Sequence, residues 1–305
     1  MNILIIGLGS IAQKHIHAIR QVHPDAIVYA LRSSKDSEHI HDVIDIYSFD
    51  EIDLKFDFII ISNPTQLHEE TIIKTLQTGC PLFIEKPVLS DTKNAEELIA
   101  GIISKKIITY VACNLRFHPA IQFLKTHLAE NQLIINEVNI YCGSFLPDWR
   151  PGRDFREVYS ANASMGGGVH LDLIHELDYC TWLFGKPSET VSVKRNVSSL
   201  KIDSVDAASY HLFYDHFTAN ITLNYLRRES KREIEIVTEN GTIHADLINC
   251  KVTNMKDNSI LFRKEYQMKD TYSLQMKYFT DQIKQHLQPM NDFAEAIDVL
   301  KIALS

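Results

Sequence analysis

The chain has 305 residues, 45% of them apolar, enough to bury a substantial core in one large or two medium domains. Its 31 basic and 39 acidic residues leave a formal charge of -8, which excludes a general binder of nucleic acid or anionic membrane, because phosphate attraction needs a basic surface. Cys80, Cys113, Cys142, Cys180 and Cys250 stand far apart with no C-x-x-C pair, and no apolar run nears the ~18 residues of a membrane span, so a cytoplasmic protein with reduced thiols, without membrane or metal, is expected.

Residues 3–6 (ILII) form a continuous, mostly β-branched apolar run, the pattern of a strand buried on both faces of a parallel sheet. Gly7, Gly9 and Ala12 follow on G-x-G-x-x-G/A spacing, and Ile11, Ala12, Ile16 and Ile19 then repeat with helical period. That order suits a dinucleotide. Gly7 permits the tight turn, Gly9 lets backbone approach a pyrophosphate, Ala12 lets the helix pack closely, and the helix N-terminus offers N–H groups to phosphate. By itself the motif is equally a plain strand-turn-helix. Further strands are expected in AIVYALRSS, ending near Leu31, in FDFIIISNPTQLH over 58–62, in CPLFIEKP and in IITYVACNLRF. Helices are expected over 71–78, with Gly79 as C-cap, and over 95–103. This alternation over residues 1–118 predicts a Rossmann-type, doubly wound parallel sheet with ligands at the carboxyl ends of its strands.

Past residue 118 the pattern changes. RFHPAIQFLKTHL reads as a helix, whereas EVNIYCGSF, ETVSVKRNVSS, AASYHLFYDHFTANITLNYL, REIEIVTENGTIHADL and CKVTNMK are longer alternating runs, with Asp215-His216 and Asn240-Gly241 as hairpin turns. They predict a second α/β domain, 119–305, with a large, mostly antiparallel open sheet, closed by helices over 272–286 and 292–303.

Three clusters carry candidate chemistry. Lys86 precedes Pro87, which biases it toward an extended conformation at a strand end, where an ammonium can bind a substrate hydroxyl and stabilise a developing alkoxide; the plain alternative is a surface lysine. Gly166 to Gly168 precede a helix pattern over 169–184, and three glycines together imply either a close approach of backbone to ligand or an unusual turn. On that helix Asp172, His175 and Asp178 share a face, with Tyr179 beside it. Removing hydride from a secondary alcohol needs a proton acceptor, and histidine titrates near neutrality. A solvated polar stripe and a metal site are the competing readings of that face. PDWRPGRDFREVYSA, residues 147–161, sets Trp149, Arg150, Arg153 and Arg156 in a loop that either holds a sugar face and anionic groups or is simply charged surface.

GLGSIAQKH, SNPTQLH, EKP at residues 85–87, NLRFHP at 114–119 and GGGVHLDLIHELDY at 166–179 together resemble the glucose-fructose oxidoreductase / inositol dehydrogenase / rhizopine catabolism (Gfo/Idh/MocA) family, over essentially the whole chain. The EKP tripeptide after a strand and the glycine-to-histidine segment are specific for it; the glycine loop is not. The resemblance implies an NAD(P)-dependent oxidoreductase acting on a hydroxyl or ketone of a sugar or nucleotide sugar, and a homodimer or homotetramer formed through the C-terminal sheet. It implies cofactor contacts from Ser10 and Ile11 beside Gly7, Gly9 and Ala12, from Asn63, Pro64, Thr65 and His68, from Glu85 and Lys86, and from Asn114. It implies substrate contacts from Arg116 and His175, joining Trp149, Arg150 and Arg153, with Lys86 and His175 catalytic. Asp172 is a weaker catalytic candidate. Many members carry the acid four residues before the histidine, where this chain has Leu171, and the arrangement here looks similar to oxidoreductases from surface-sugar gene clusters. A non-redox enzyme using NAD transiently, and a non-catalytic cofactor-binding regulator, are the alternatives.

Cofactor choice rests on the end of the second strand. An NAD-selective site puts an acid ~20 residues beyond the glycines to bind the ribose 2′-OH. Here Leu31 is followed by Arg32, Ser33, Ser34 and Lys35, groups that suit a 2′-phosphate, so NADP(H) is favoured over NAD(H). The alternatives are Arg32 stacking on adenine and Asp36 turning inward to restore NAD binding.

Overall fold

The computed structural model describes residues 1–35, 39–49 and 55–305, which divide into two compact units: 1–114 with 268–300, and 115–267 with 301–305. The first unit begins β1 (Asn2–Ile6), α1 (Ser10–Val22), β2 (Ile27–Leu31), β3 (Val43–Ile46), β4 (Phe58–Ile61), α2 (His68–Thr75), β5 (Leu82–Ile84), α3 (Ala95–Ser104) and β6 (Thr109–Val111). Its six strands are all parallel, in the order β3-β2-β1-β4-β5-β6. The apolar runs explain the middle of this sheet. Ile3 to Ile5, Phe58 to Ile61 and Leu82 to Ile84 are wholly buried, as strands covered on both faces must be. The order reverses between β1 and β4, and a crevice opens at such a reversal beyond the strand ends. Strand β3 was not expected: it is a four-residue edge strand with Asp45 inside it and Ile44 exposed.

In the second unit α4 (Pro119–Asn131), capped by His118, leads into β7 (Ile135–Gly143). After them come α5 (Val169–Asp172), α6 (His175–Phe184), β8 (Glu189–Arg195), β9 (Ala207–Phe213), β10 (Thr218–Asn224), β11 (Lys231–Thr238), β12 (Gly241–Asp246), β13 (Lys251–Asn254) and β14 (Ser259–Arg263). The sheet order is β14-β13-β12-β11-β7-β10-β9-β8, antiparallel except for the β7/β10 pair. Both expected hairpins are present, at 214–217 and 239–240. Val138, Ile140, Ile221, Leu223, Ile234 and Ile236 form the buried face, against which α5 and α6 pack. The other face carries alternating half-buried residues, among them Glu137, Asn139, Asn220 and Glu233.

Two expectations differ from what is observed. The helix over 169–184 is two helices, broken at Leu173 and Ile174. The closing helices α7 (Met268–Gln285) and α8 (Phe293–Leu304) do not belong wholly to the C-terminal unit, because 268–300 cluster with the N-terminal one. The reason is packing. Phe279 of α7 is fully buried, with its ring centroid 5.3 Å from Phe58 and 5.4 Å from Phe83, so the parallel sheet's core needs this helix. Among the described residues no helix is long and apolar enough to cross a membrane.

Candidate active site

In the first unit the loops after β1 and β4 lock together. Gly7 has φ +91°, and a Cβ there would stand 2.3 Å from the Asn63 backbone nitrogen, so only glycine fits. Ser62 donates its hydroxyl to the Gly7 carbonyl at 2.8 Å. Gly9 differs: a Cβ would meet nothing within 4 Å, and it caps α1 without any side chain. Ser10 and Ile11 open that helix, and Ala12 is fully buried, as close packing on the strand requires. A cleft of about 740 Å³ opens beside this turn, lined by Gly7, Arg32, Ser33, Asn63 and Pro64 of the expected set together with Tyr47, Ser48 and Thr71. Asn63 gives its amide NH2 to Thr71 at 2.8 Å, while its Oδ1 is buried with no hydrogen-bond partner among the described residues. The open Gly9 turn, the α1 N-terminus and this spare acceptor fit a dinucleotide.

Sequence reasoning missed Asp45. Its carboxylate lies 3.1 Å from the Arg32 guanidinium and 2.8 Å from His39, and both the arginine and aspartate side chains are under one-tenth exposed. Asp36 lies outside the described residues. Other expected contacts serve the framework. His68 is 1% exposed, with Nδ1 3.1 Å from the Val88 carbonyl and Nε2 3.0 Å from that of Asn63. Burial lowers its pKa against the opposing pull of those carbonyls and Glu85. Thr65 begins the short 3-10 turn leading to it. Asn114 is buried and donates to Thr271 at 2.7 Å.

Lys86 follows β5, and its peptide bond to Pro87 is cis. The buried Glu85 lies 2.6 Å from His15 Nε2 through one carboxylate oxygen and accepts the Lys86 main-chain N–H at 3.0 Å on the other. Burial pushes the Glu85 carboxyl up, but the His15 hydrogen bond, with the Lys86 charge and N–H, outweighs it and holds the pKa below the usual value.

In the second unit the three glycines are accounted for by an unusual turn. Gly166 and Gly168 have φ +79° and +139°, and a Cβ on Gly167 would stand 2.0 Å from the Tyr159 carbonyl oxygen. Asp172, at the end of α5, accepts the Tyr225 hydroxyl at 2.5 Å. Trp149 meets Tyr225 edge-on at 5.2 Å and donates to Ser144 at 2.9 Å, so Asp172 and Trp149 are joined through a tyrosine that no sequence motif marks. His175, half-buried, opens α6.

Asp178 is not part of a solvated stripe. It is 1% exposed and accepts from Arg116 Nη2 at 2.8 Å and Nε at 3.0 Å. Arg116, expected to touch substrate, is 2% exposed and anchors α6 through this pair. Glu176 is likewise buried, 2.7 Å from Arg232. Arg150 and Arg153 line a cleft of about 580 Å³ with Asp154, Glu157, Tyr159 and Met165, a lining of mixed charge. His170, also missed, packs beside Gly168 with Nδ1 lacking a partner among the described residues. Burial, then the Lys194 charge, brings it down to about 4 against the pull of Asp172. No group of three or more His, Cys, Asp or Glu among the described residues is placed to hold a metal ion.

Comparisons with known proteins agree with this architecture. Residues 1–113 match the Gfo/Idh/MocA oxidoreductase family, NAD-binding Rossmann fold, and residues 135–244 match the GFO/IDH/MocA C-terminal domain. The chain is 29% identical over 203 residues to scyllo-inositol 2-dehydrogenase (NADP(+)) IolU of Bacillus subtilis, covering 64% of this chain and 58% of that protein. It is 25% identical over 314 residues to myo-inositol 2-dehydrogenase of Thermotoga maritima, covering 93% and 88%. The alignment spans little more than half the length of the first curated relatives, 56% and 58%. Among solved structures, UDP-N-acetylglucosamine 3-dehydrogenase GnnA from Acidithiobacillus ferrooxidans shares the fold with a TM-score of 0.81 at 21% identity, covering 100% of this chain and 95% of that one. Two matched domains in the family's order, on a parallel sheet with an open glycine turn and a second, mostly antiparallel sheet, establish that this chain belongs to the Gfo/Idh/MocA family of oxidoreductases.

Proposed function

We propose that the protein is an NAD(P)-dependent dehydrogenase acting on a hydroxyl or ketone of a sugar or nucleotide sugar. The observation that carries this reading is Lys86 at the carboxyl end of β5, its main-chain N–H fixed by a buried carboxylate, in the same unit as the open Gly9 turn and the Asn63 acceptor. A bound nicotinamide supplies the hydride acceptor or donor. The Lys86 ammonium binds the substrate oxygen and stabilises charge developing there, and His175 takes or returns the hydroxyl proton. Asp172, held by Tyr225, and Trp149, Arg150 and Arg153 contribute to substrate binding. Names of relatives support the substrate class: inositol dehydrogenases are among them, and one is named a UDP-N-acetylglucosamine dehydrogenase.

NADP(H) preference, a homodimer or homotetramer through the open sheet face, and a cytoplasmic setting belong to the same proposal. Arg32 and Ser33 in the cleft support the first, exposed Val191, Val193 and Phe213 the second, and five buried cysteines outside any disulfide the third. The test is reduction of NAD+ or NADP+ by the purified protein with myo-inositol, scyllo-inositol and UDP-N-acetylglucosamine, followed by reduced-nicotinamide absorbance. Turnover with one of them is expected. Cofactor binding without net reduction by any polyol or nucleotide sugar would favour the transient-NAD or regulatory alternatives.

A further inference from the structure

We propose that His15 is a positioning residue for Lys86: from α1 it donates Nε2–H to one oxygen of Glu85 and so turns the other to receive the Lys86 main-chain N–H. The inference rests on the reading of Lys86 as the oxygen-binding group.

His15 sits on the buried stripe of α1 with Ala12, Ile16 and Ile19, at 0% exposure. Its ring is held edge-on between Phe83 of β5, at 5.0 Å, and Tyr272 of α7, at 6.0 Å. An aliphatic side chain would fill such a place without needing a hydrogen-bond partner, so the imidazole calls for a specific reason. The contact at 2.6 Å to Glu85 supplies one. Nδ1 is buried without a partner among the described residues, and a bare acceptor nitrogen tolerates that better than an orphaned N–H. The proton is therefore assigned to Nε2, which donates to the carboxylate.

The glutamate is the intermediary. It is 8% exposed, and burial favours its neutral form; the largest opposing influence is the hydrogen bond from His15. Without the imidazole only Lys86 would oppose burial, and the carboxyl would be drawn toward its protonated, uncharged form. The charged and titratable groups around the pair are few. Lys86 adjoins it on the strand end, Tyr272 faces it from α7, His68 feels its field from α2, and Lys14 stands 5.3 Å over the Tyr272 ring. Tyr272 is itself pushed up to about 12 by burial and then by Glu85, and so adds no charge near neutrality.

The contact restrains the strand end from which the Lys86 side chain extends, and losing it frees that side chain for a reagent. Lys86 acylation therefore reports the pair without any substrate. The purified full chain is treated with N-hydroxysuccinimidyl acetate from neutral to alkaline pH, and acetylation of Lys86 is read by peptide mass spectrometry, with exposed Lys186 as internal control. His15→Leu and Glu85→Gln are each expected to raise the Lys86 rate at neutral pH about threefold or more. His15→Gln, whose amide can donate as Nε2 does, is expected to stay within about twofold of the parent. A His15→Leu variant that folds, with Lys86 reacting at the parental rate, overturns the proposal. If His15→Leu does not fold, Glu85→Gln decides: an unchanged Lys86 profile overturns it and an acceleration supports it. Turnover of Lys86→Ala is measured separately. Parental turnover there defeats the catalytic reading, while the acylation result judges the positioning contact on its own.

Discussion

Lys86 and Arg32 both stand against carboxylates, Glu85 and Asp45, and the two pairs make separable predictions. Lys86→Ala removes an electrostatic stabiliser of the reacting oxygen and should lower turnover by about 100-fold or more, with cofactor affinity within a few-fold, in steady-state kinetics and fluorescence titration. Asp45→Asn removes one carboxylate charge from beside Arg32, so NADPH should tighten by about three- to tenfold relative to NADH, the scale of one charge-assisted contact. An unchanged NADPH-to-NADH ratio would detach Arg32 from cofactor choice. The glycine turn and EKP were legible because each is local, fixed by neighbours along the chain. Asp45, His15 and Tyr225 were not, since their partners lie 13, 70 and 53 residues away. His15 did carry one signal, a histidine on the apolar stripe of a helix.

At the scale of elements, α6 is held by the buried pair Arg116–Asp178 and the part-buried pair Arg232–Glu176, both in the helical turn that begins at His175. Such a pair is weak evidence of stability as a whole, yet removing one partner strands a buried charge. Asp178→Ala should therefore destabilise the second unit by about 3–5 kcal/mol in denaturant unfolding, the cost of breaking a buried pair. A loss below about 1 kcal/mol, the value of an exposed pair, would contradict the burial described for Arg116. The apolar period over 169–184 concealed the break at Leu173 and Ile174 because both residues suit a helix. Tertiary packing decides there: α5 docks on β9 and β10, α6 on β7, and Asp172 turns to Tyr225. His118 and His170, both in the second unit, are brought down to about 4, chiefly by burial. Their folded values lie below the unfolded value of about 6.5, so the unfolded chain binds more protons between the two. Stability from these groups is complete above about 6.5 and is lost as pH falls toward about 4. Thermal unfolding of the parent should drop over that window, and His118→Gln should flatten the slope; an unchanged slope would remove His118 as a source.

At the scale of the whole molecule, the division of the chain depends on contacts that composition does not reveal. Residues 268–300 follow the antiparallel sheet in sequence but supply Phe279 and Phe293 to the core of the parallel-sheet unit, so the boundary read near residue 118 captured where that unit pauses and not where it ends. The large sheet of the other unit was legible from its alternation, and the same alternation leaves one face only partly covered. Across that face a row runs from His211 to Asn220 at 2.7 Å, Asn220 to Asn139 at 3.0 Å and Asn139 to Glu137 at 2.7 Å. Beside it Val191, Val193 and Phe213 are exposed by 47%, 54% and 37%, a contiguous apolar margin at one edge of an ordered polar row. Apolar side chains gathered next to satisfied polar groups suit self-association, since burying them costs no unpaired donor. Sedimentation velocity should therefore show a dimer or tetramer for the parent. Val191→Glu with Val193→Glu, which places two carboxylates on strand positions already open to solvent, should shift it to monomer while leaving the unfolding temperature nearly unchanged. A parental monomer at micromolar concentration, or an assembly indifferent to both charges, would place self-association elsewhere or nowhere on this chain.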